Sequence, residues 1–152
     1  MTAYFDTSVV TKWYLPEPDS AAALHVRARF TPPAVLTHLH RVELVTAWHL
    51  KVFRREIAKG IVDQAWGHVE DDVAAGLWQL PDYDPVDVYS KAESLSRRYT
   101  ATLGARSLDI LHVAAALVLE AAAFVTHDDR QARLAKAAGL PVITLRARAT
   151  RR

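Results

Sequence analysis

Asp6 in AYFDTS, Glu43 in HRVELV, Asp109 in RSLDIL and Asp128 in FVTHDD are carboxylates scattered along the chain whose local settings suggest one meeting point. Carboxylates gathered at one edge of a sheet suit magnesium or manganese, hard cations that take oxygen ligands and keep several waters. An ion held in this way polarises a phosphoryl oxygen and lowers the pKa of a bound water, which is the chemistry of phosphodiester hydrolysis. Without a cation such a cluster repels itself, and part of it stays protonated.

Taken singly, each acid also has an ordinary role. Asp6 can cap the turn at its own DTS segment. Glu43 can be an exposed helix residue. Asp109 can stabilise a helix N-terminus through the helix dipole, and Asp128 can form a capping box with Gln131. The functional reading therefore rests on the set. Asp109 is the hardest to assign to a surface role: LDILHVAAALVLEAAAFV is apolar nearly all round, and a carboxylate inside it is costly unless paired or metal-bound. His112, one helical turn further on, is expected to be a core histidine with a backbone or water partner more than a ligand or base. Arg106 either contacts a substrate phosphate or remains a surface arginine.

The elements that must position these residues follow from patterning. Ala3 to Asp6 reads as a strand, and DTS caps a turn or short helix leading to Pro16. A helix is expected from near Asp19, then a strand at AVLT, with Thr37 capping the helix that carries Glu43. In that helix Val42, Val45, Trp48 and Val52 recur at helical spacing, and in the next Val62, Trp66, Val69 and Val73 share a face. Trp48 and Trp66 read as packing or subunit-contact residues. LWQL is a third strand. Asp84 and Pro85 open a helix with Val88, Ala92, Leu95 and Tyr99 on one stripe. The apolar helix after Arg106, a strand at AFVT, a helix from Asp128 that stops at Gly139, and a last strand at VITL complete the series. This alternation predicts an α/β fold of three layers, with a central parallel sheet of four to five short strands between helices. Ligands of such sheets lie at the carboxyl ends of the strands, so Asp6 and Asp128 should emerge on the same edge. Chain direction places Glu43 and Asp109 less firmly.

Composition sets the bounds. A chain of 152 residues, 51% hydrophobic, supports a single domain over 1–152 with its own core. The absence of cysteine excludes disulfides, zinc-thiolate sites and thiol catalysis, and suits a reducing cytoplasm. MTAYFDTS does not read as a signal peptide, and the most apolar stretch, broken by Asp109, His112 and Glu120, reads as a helix plus a strand and not a membrane span. A net charge of +2 identifies no partner. Arg146, Arg148, Arg151 and Arg152 make 146–152 a basic tail, suited either to a polyanion or to solvent. DTSVV lacks a second aspartate two positions on, and the late strands offer no partner lysine, which argues against a phosphatase or phosphoacceptor role for Asp6.

YFDTSVV, the glutamate of HRVELV, RSLDILHVAAAL and VTHDDRQARLA, in that order, resemble the landmarks of the PIN domain family and, within it, the VapC-type toxins of bacterial toxin-antitoxin pairs. The resemblance spans almost the whole chain. Its first and last two segments are the more specific, since V-E-L occurs in many helices. It implies a hydrolase, a Mg2+- or Mn2+-dependent ribonuclease in which Asp6, Glu43, Asp109 and Asp128 are the catalytic, metal-holding quartet, Asp6 and Asp109 most directly. Thr7, Ser8 and Arg106 would support the site. The T-x-D spacing from Thr126 selects Asp128 over Asp129. Related sequences often have an aromatic residue where His127 stands, so His127 touches RNA or sits at the rim; His38 and His40 gain no role. The resemblance further implies a toxin that arrests growth by cutting structured RNA, a homodimer, and a cognate VapB-type antitoxin whose peptide occupies the groove. Two other functions remain open at this stage: a PIN ribonuclease of RNA processing without an antitoxin, and a catalytically silent domain that binds RNA or protein.

Overall fold

Short apolar runs become the strands β1 (Ala3–Phe5), β2 (Ala34–Val35), β3 (Trp78–Gln79), β4 (Ala123–Thr126) and β5 (Val142–Thr144) of a computed structural model that describes residues 2–145. The helices between them are α1 (Thr7–Tyr14), α2 (Ser20–Arg27), α3 (His38–Phe53), α4 (Lys59–Ala74), α5 (Pro85–Leu103), α6 (Ser107–Val118) and α7 (Asp129–Ala137). The expected basic tail at 146–152 lies outside the described residues.

Every strand pairing is parallel, as the alternation with helices requires. The strands form two hydrogen-bonded units, β1-β4-β5 and β2-β3, and β2 lies beside β1, so the spatial order runs β3-β2-β1-β4-β5. Chain order reverses between β1 and β4, which is where an open sheet of this kind leaves a crevice at its carboxyl edge. Asp6 follows β1 directly and Thr126 ends β4.

Alternate residues of the central strands face opposite layers, the two-residue period of an extended chain. Ala3, Phe5 and Val125 enter the core shared with α1, α2, α3 and α4, where Trp48 is fully buried. Tyr4 and Phe124 enter the second core with α5, α6 and α7, their rings stacked at 5.6 Å. Each aromatic buried there stabilises the fold by about 1.5–3 kcal/mol.

The apolar stretch around Asp109 divides into α6 and β4, and among the described residues no helix is long and apolar enough to cross a membrane. Ahead of α6 the chain turns at Gly104, which ends α5 with φ 66°. The left-handed conformation there favours a residue without a Cβ.

Candidate active site

The carboxyl edge of the sheet is built from the starts of helices. Asp6 is the N-cap of α1, its Oδ1 accepting from Val9 N–H at 3.2 Å and from the Ser8 hydroxyl at 2.5 Å. Thr126, at the end of β4, donates its hydroxyl to Asp6 Oδ2 at 2.5 Å across the switch in strand order. Asp6 is only 3% exposed, and burial pushes its carboxyl above the ordinary value even though Ser8, Thr126, His112 and the Val9 amide all favour the ionised form. Three of about four acceptor positions on this carboxylate are filled, which leaves one on Oδ2.

Thr37 caps α3 and forms a capping box in which the side chain reaching back is a histidine, His40. Its Nδ1 accepts from Thr37 N–H at 3.0 Å, so Nε2 carries the proton and donates to Phe5 C=O at 2.7 Å. One buried imidazole thus ties the first turn of α3 to the residue before Asp6. Burial, and then the neighbouring His112, lower its pKa to about 3. Glu43 follows one turn later on α3. Its Oε1 accepts from the Thr7 hydroxyl at 3.0 Å and is hydrogen-bonded to His112 Nε2.

Glu43, Asp109 and Asp128 line one cleft of about 580 Å³, together with Arg106 and Arg130. Asp109 is half-buried in the first turn of α6, and Gln131 reaches its backbone carbonyl, not its carboxylate. Burial raises the Asp109 carboxyl above its ordinary value, and Asp128, Asp6 and Glu43 add repulsion that His112 partly offsets. Asp109 is thus an electrostatic neighbour of the other three acids. They differ in access: Asp6 is not among the residues lining the cleft.

Asp128 accepts from Gln131 N–H at 2.8 Å as the N-cap of α7, and the same residue lines the cleft, so cap and site residue coincide. The expected capping box does not form. Gln131 is buried, its side chain turned inward to Thr126 and Asp109, because the site and not the helix end supplies its polar partners. Asp129 follows within the first turn of α7 and does not line the cleft.

His112 departs from expectation as well. It is 2% exposed, but its partners are side chains: the Tyr4 hydroxyl at 2.8 Å on Nδ1, and Thr7 Oγ1 at 3.2 Å with Glu43 on Nε2. The His127 ring lies between Leu145 C=O and Asp19, and its amide donates to Ser8 Oγ at 3.4 Å. Arg130, Thr126 as a clamp on Asp6, and His40 as the α3 cap are the residues that patterning missed. A signal existed for Arg130, since a cation in the first turn of a helix opposes the helix dipole.

The model of one family, the PIN domain, matches residues 3–137. This chain belongs to the PIN domain family. Comparison with curated proteins gives no match. PIN domains are generally nucleases, and PIN nucleases generally use divalent metals. The donors of this PIN domain fit such an ion in chemistry: they are carboxylate oxygens, one acceptor position of Asp6 is left over, and the mutual repulsion at Asp109 is relieved by positive charge. Glu43, Asp109 and Asp128 share an open cleft, which buried Asp6 does not line, and not a closed cage. Among the described residues no three histidine, aspartate or glutamate side chains are drawn close enough to hold an ion as a group. A magnesium ion that keeps its waters needs only one or two direct carboxylates.

Proposed function

We propose that the chain is a metal-dependent endoribonuclease and the toxin of a VapBC-type pair. One observation carries the reading: Glu43 on α3, Asp109 on α6 and Asp128 at the N-cap of α7 line a single cleft, where burial first and the neighbouring acids next raise the Asp109 carboxyl above its ordinary value. Structural carboxylates seldom accumulate where they destabilise one another, and perturbed titration in a cleft is typical of a working site. Asp6, Glu43, Asp109 and Asp128 would hold Mg2+ or Mn2+. The ion, when bound, polarises the scissile phosphate and supplies an activated water near neutral pH. Ser8 and Thr126 keep Asp6 in one rotamer, and Thr7 bonds Glu43. Arg106 and Arg130, at the starts of α6 and α7, face the same cleft and would bind the phosphates on either side of the cut.

The toxin assignment rests on the VapC-like segments YFDTSVV, RSLDILHVAAAL and VTHDDRQARLA, and carries with it a cytoplasmic homodimer silenced by a VapB-type antitoxin. The test substitutes Asp6→Asn or Asp109→Asn and follows RNA cleavage with Mg2+ or Mn2+ alongside growth on expression. Loss of both cleavage and growth arrest is expected. Full cleavage in both variants excludes this site, and a wild-type chain that binds neither ion by calorimetry favours a silent RNA- or protein-binding domain. Cleavage without growth arrest, and without a small upstream gene whose product restores growth, favours RNA processing.

A further inference from the structure

Glu43 sits on α3 and His112 on α6, helices whose buried apolar residues belong to different cores. Their side chains are joined by a hydrogen bond from Nε2 to Oε1. A carboxylate oxygen only accepts, so Nε2 carries a proton; in the neutral ring Nδ1 is then an acceptor, to which the Tyr4 hydroxyl donates at 2.8 Å. Tyr4 is fully buried on β1 and the imidazole is 2% exposed, so the bond between them is shielded from water. The Thr7 hydroxyl, at 3.0 Å, supplies a second donor to the same Oε1. The imidazole is further fixed by its edge contact with Tyr4 at 5.7 Å and by the His40 ring at 4.9 Å.

We infer that His112 is the positioning residue of Glu43: with Thr7 it engages Oε1 and leaves Oε2 as the oxygen presented to the cleft. A glutamate has three rotatable side-chain bonds, and a carboxylate used in a reaction must be held within a fraction of an ångström to act. Ser8 and Thr126 do this for Asp6, and the chain Tyr4–His112–Glu43 does it for the acid on α3. The arrangement has the logic of an outer-shell histidine, whose loss typically lowers metal affinity or activity about 10–100-fold. The inference rests on the nuclease proposal for its activity readout, but the hydrogen-bonded chain is testable without it.

The first measurement is the imidazole nitrogen spectrum of the metal-free protein. It should show a protonated Nε2 and an unprotonated Nδ1, with the Nε2 signal moving in Glu43→Gln and the Nδ1 signal in Tyr4→Phe. A protonated Nδ1, or an Nε2 signal indifferent to Glu43→Gln, overturns the inference whatever the activity. The second is cleavage kinetics across Mn2+ concentrations. His112→Leu should lower kcat about 10–100-fold, with little change in KM for RNA and a higher Mn2+ half-saturation. His112→Gln, which can return a donor to the Nε2 position, should recover much of that loss. Adding His112→Leu to Glu43→Gln should cost almost nothing further; a full additional loss in the double variant means that His112 acts independently of Glu43 and overturns the inference. A wild-type chain that cleaves no RNA removes the nuclease proposal, and the nitrogen spectrum then still decides the coupling.

Discussion

Asp109 is held where its own charge is unwelcome, by burial first and by Asp128, Asp6 and Glu43 next. A carboxyl whose pKa is raised on folding contributes stability below its unfolded value of 3.8, and that contribution is lost as pH rises through the folded value. Asp109→Asn should therefore melt higher than the wild type in chelator at about pH 7, with the difference vanishing as pH falls toward about 4. The same substitution should lower RNA cleavage by about 100-fold or more, at least the effect of losing an outer-shell partner. A variant that melts at or below the wild-type temperature across this range would show that repulsion at Asp109 is not felt by the fold. Arg130 belongs to the same scale. Arg130→Ala should raise KM for RNA with kcat nearly unchanged, and should flatten the dependence of log affinity on log salt by about one unit, as loss of one phosphate contact does. An unchanged salt slope places Arg130 off the RNA.

Helix α3 is the element on which the site depends most, because its first turn is attached to β1 through His40. His40→Ala breaks a capping bond and strands the Phe5 carbonyl, and should cost about 1–3 kcal/mol in urea unfolding. The pH trend has the opposite sign to that of Asp109. His40 is neutral in the fold with a pKa lowered from 6.5 to about 3, so its contribution is complete above the unfolded value and is lost as pH falls through this window. Between about pH 6.5 and pH 4 the wild type should lose stability faster than His40→Gln; parallel losses would mean that the buried ring is not the group being protonated. Gly104 ends α5 in the left-handed conformation, shortly before α6 begins. A Cβ there meets no atom within 4 Å, so Gly104→Ala should cost only the left-handed backbone, about 1–2 kcal/mol, read as a shift in the urea midpoint.

The whole molecule trades stability for a charged edge, and the trade should reverse when a divalent ion binds. If Mn2+ binds the folded chain only, a concentration of about 100 times its Kd should stabilise the protein by about 2.7 kcal/mol. A thermal-shift titration should show this for the wild type, much less for Asp109→Asn, and less again when Asp6→Asn is added. Equal shifts in all three would place the ion elsewhere on the surface. The two cores on either face of the sheet allow such an edge to persist: they bury Trp48, Phe5, Tyr4 and Phe124 completely or nearly so, away from the cleft.

Strands, helix starts and the family landmarks could be read from the chain, since Thr37, Asp84-Pro85 and Gly139 act over a few residues. Asp6 and Asp128 could be placed on one edge for the same reason: strand direction fixes the side on which a chain emerges. The stripe Val42, Val45, Trp48 and Val52, however, is not the buried face of α3: Val42 and Val45 are exposed, and His40, Leu44 and Trp48 are buried. What touches what could not be read. Gln131 looked like the second half of a capping box and instead turns inward to Thr126 and Asp109; His112 looked like a core residue with a backbone or water partner and instead bonds Glu43. Both outcomes depend on groups far away in sequence that satisfy buried polar atoms, and local propensity contains no information about them. The sequence alone determined a parallel α/β sheet and a PIN-type order of motifs, and it singled out four acids as candidates for one site. Only tertiary structure decided that Asp6 is buried behind two hydroxyls and that Glu43 is tethered across the sheet edge, because burial and repulsion are properties of distance in space.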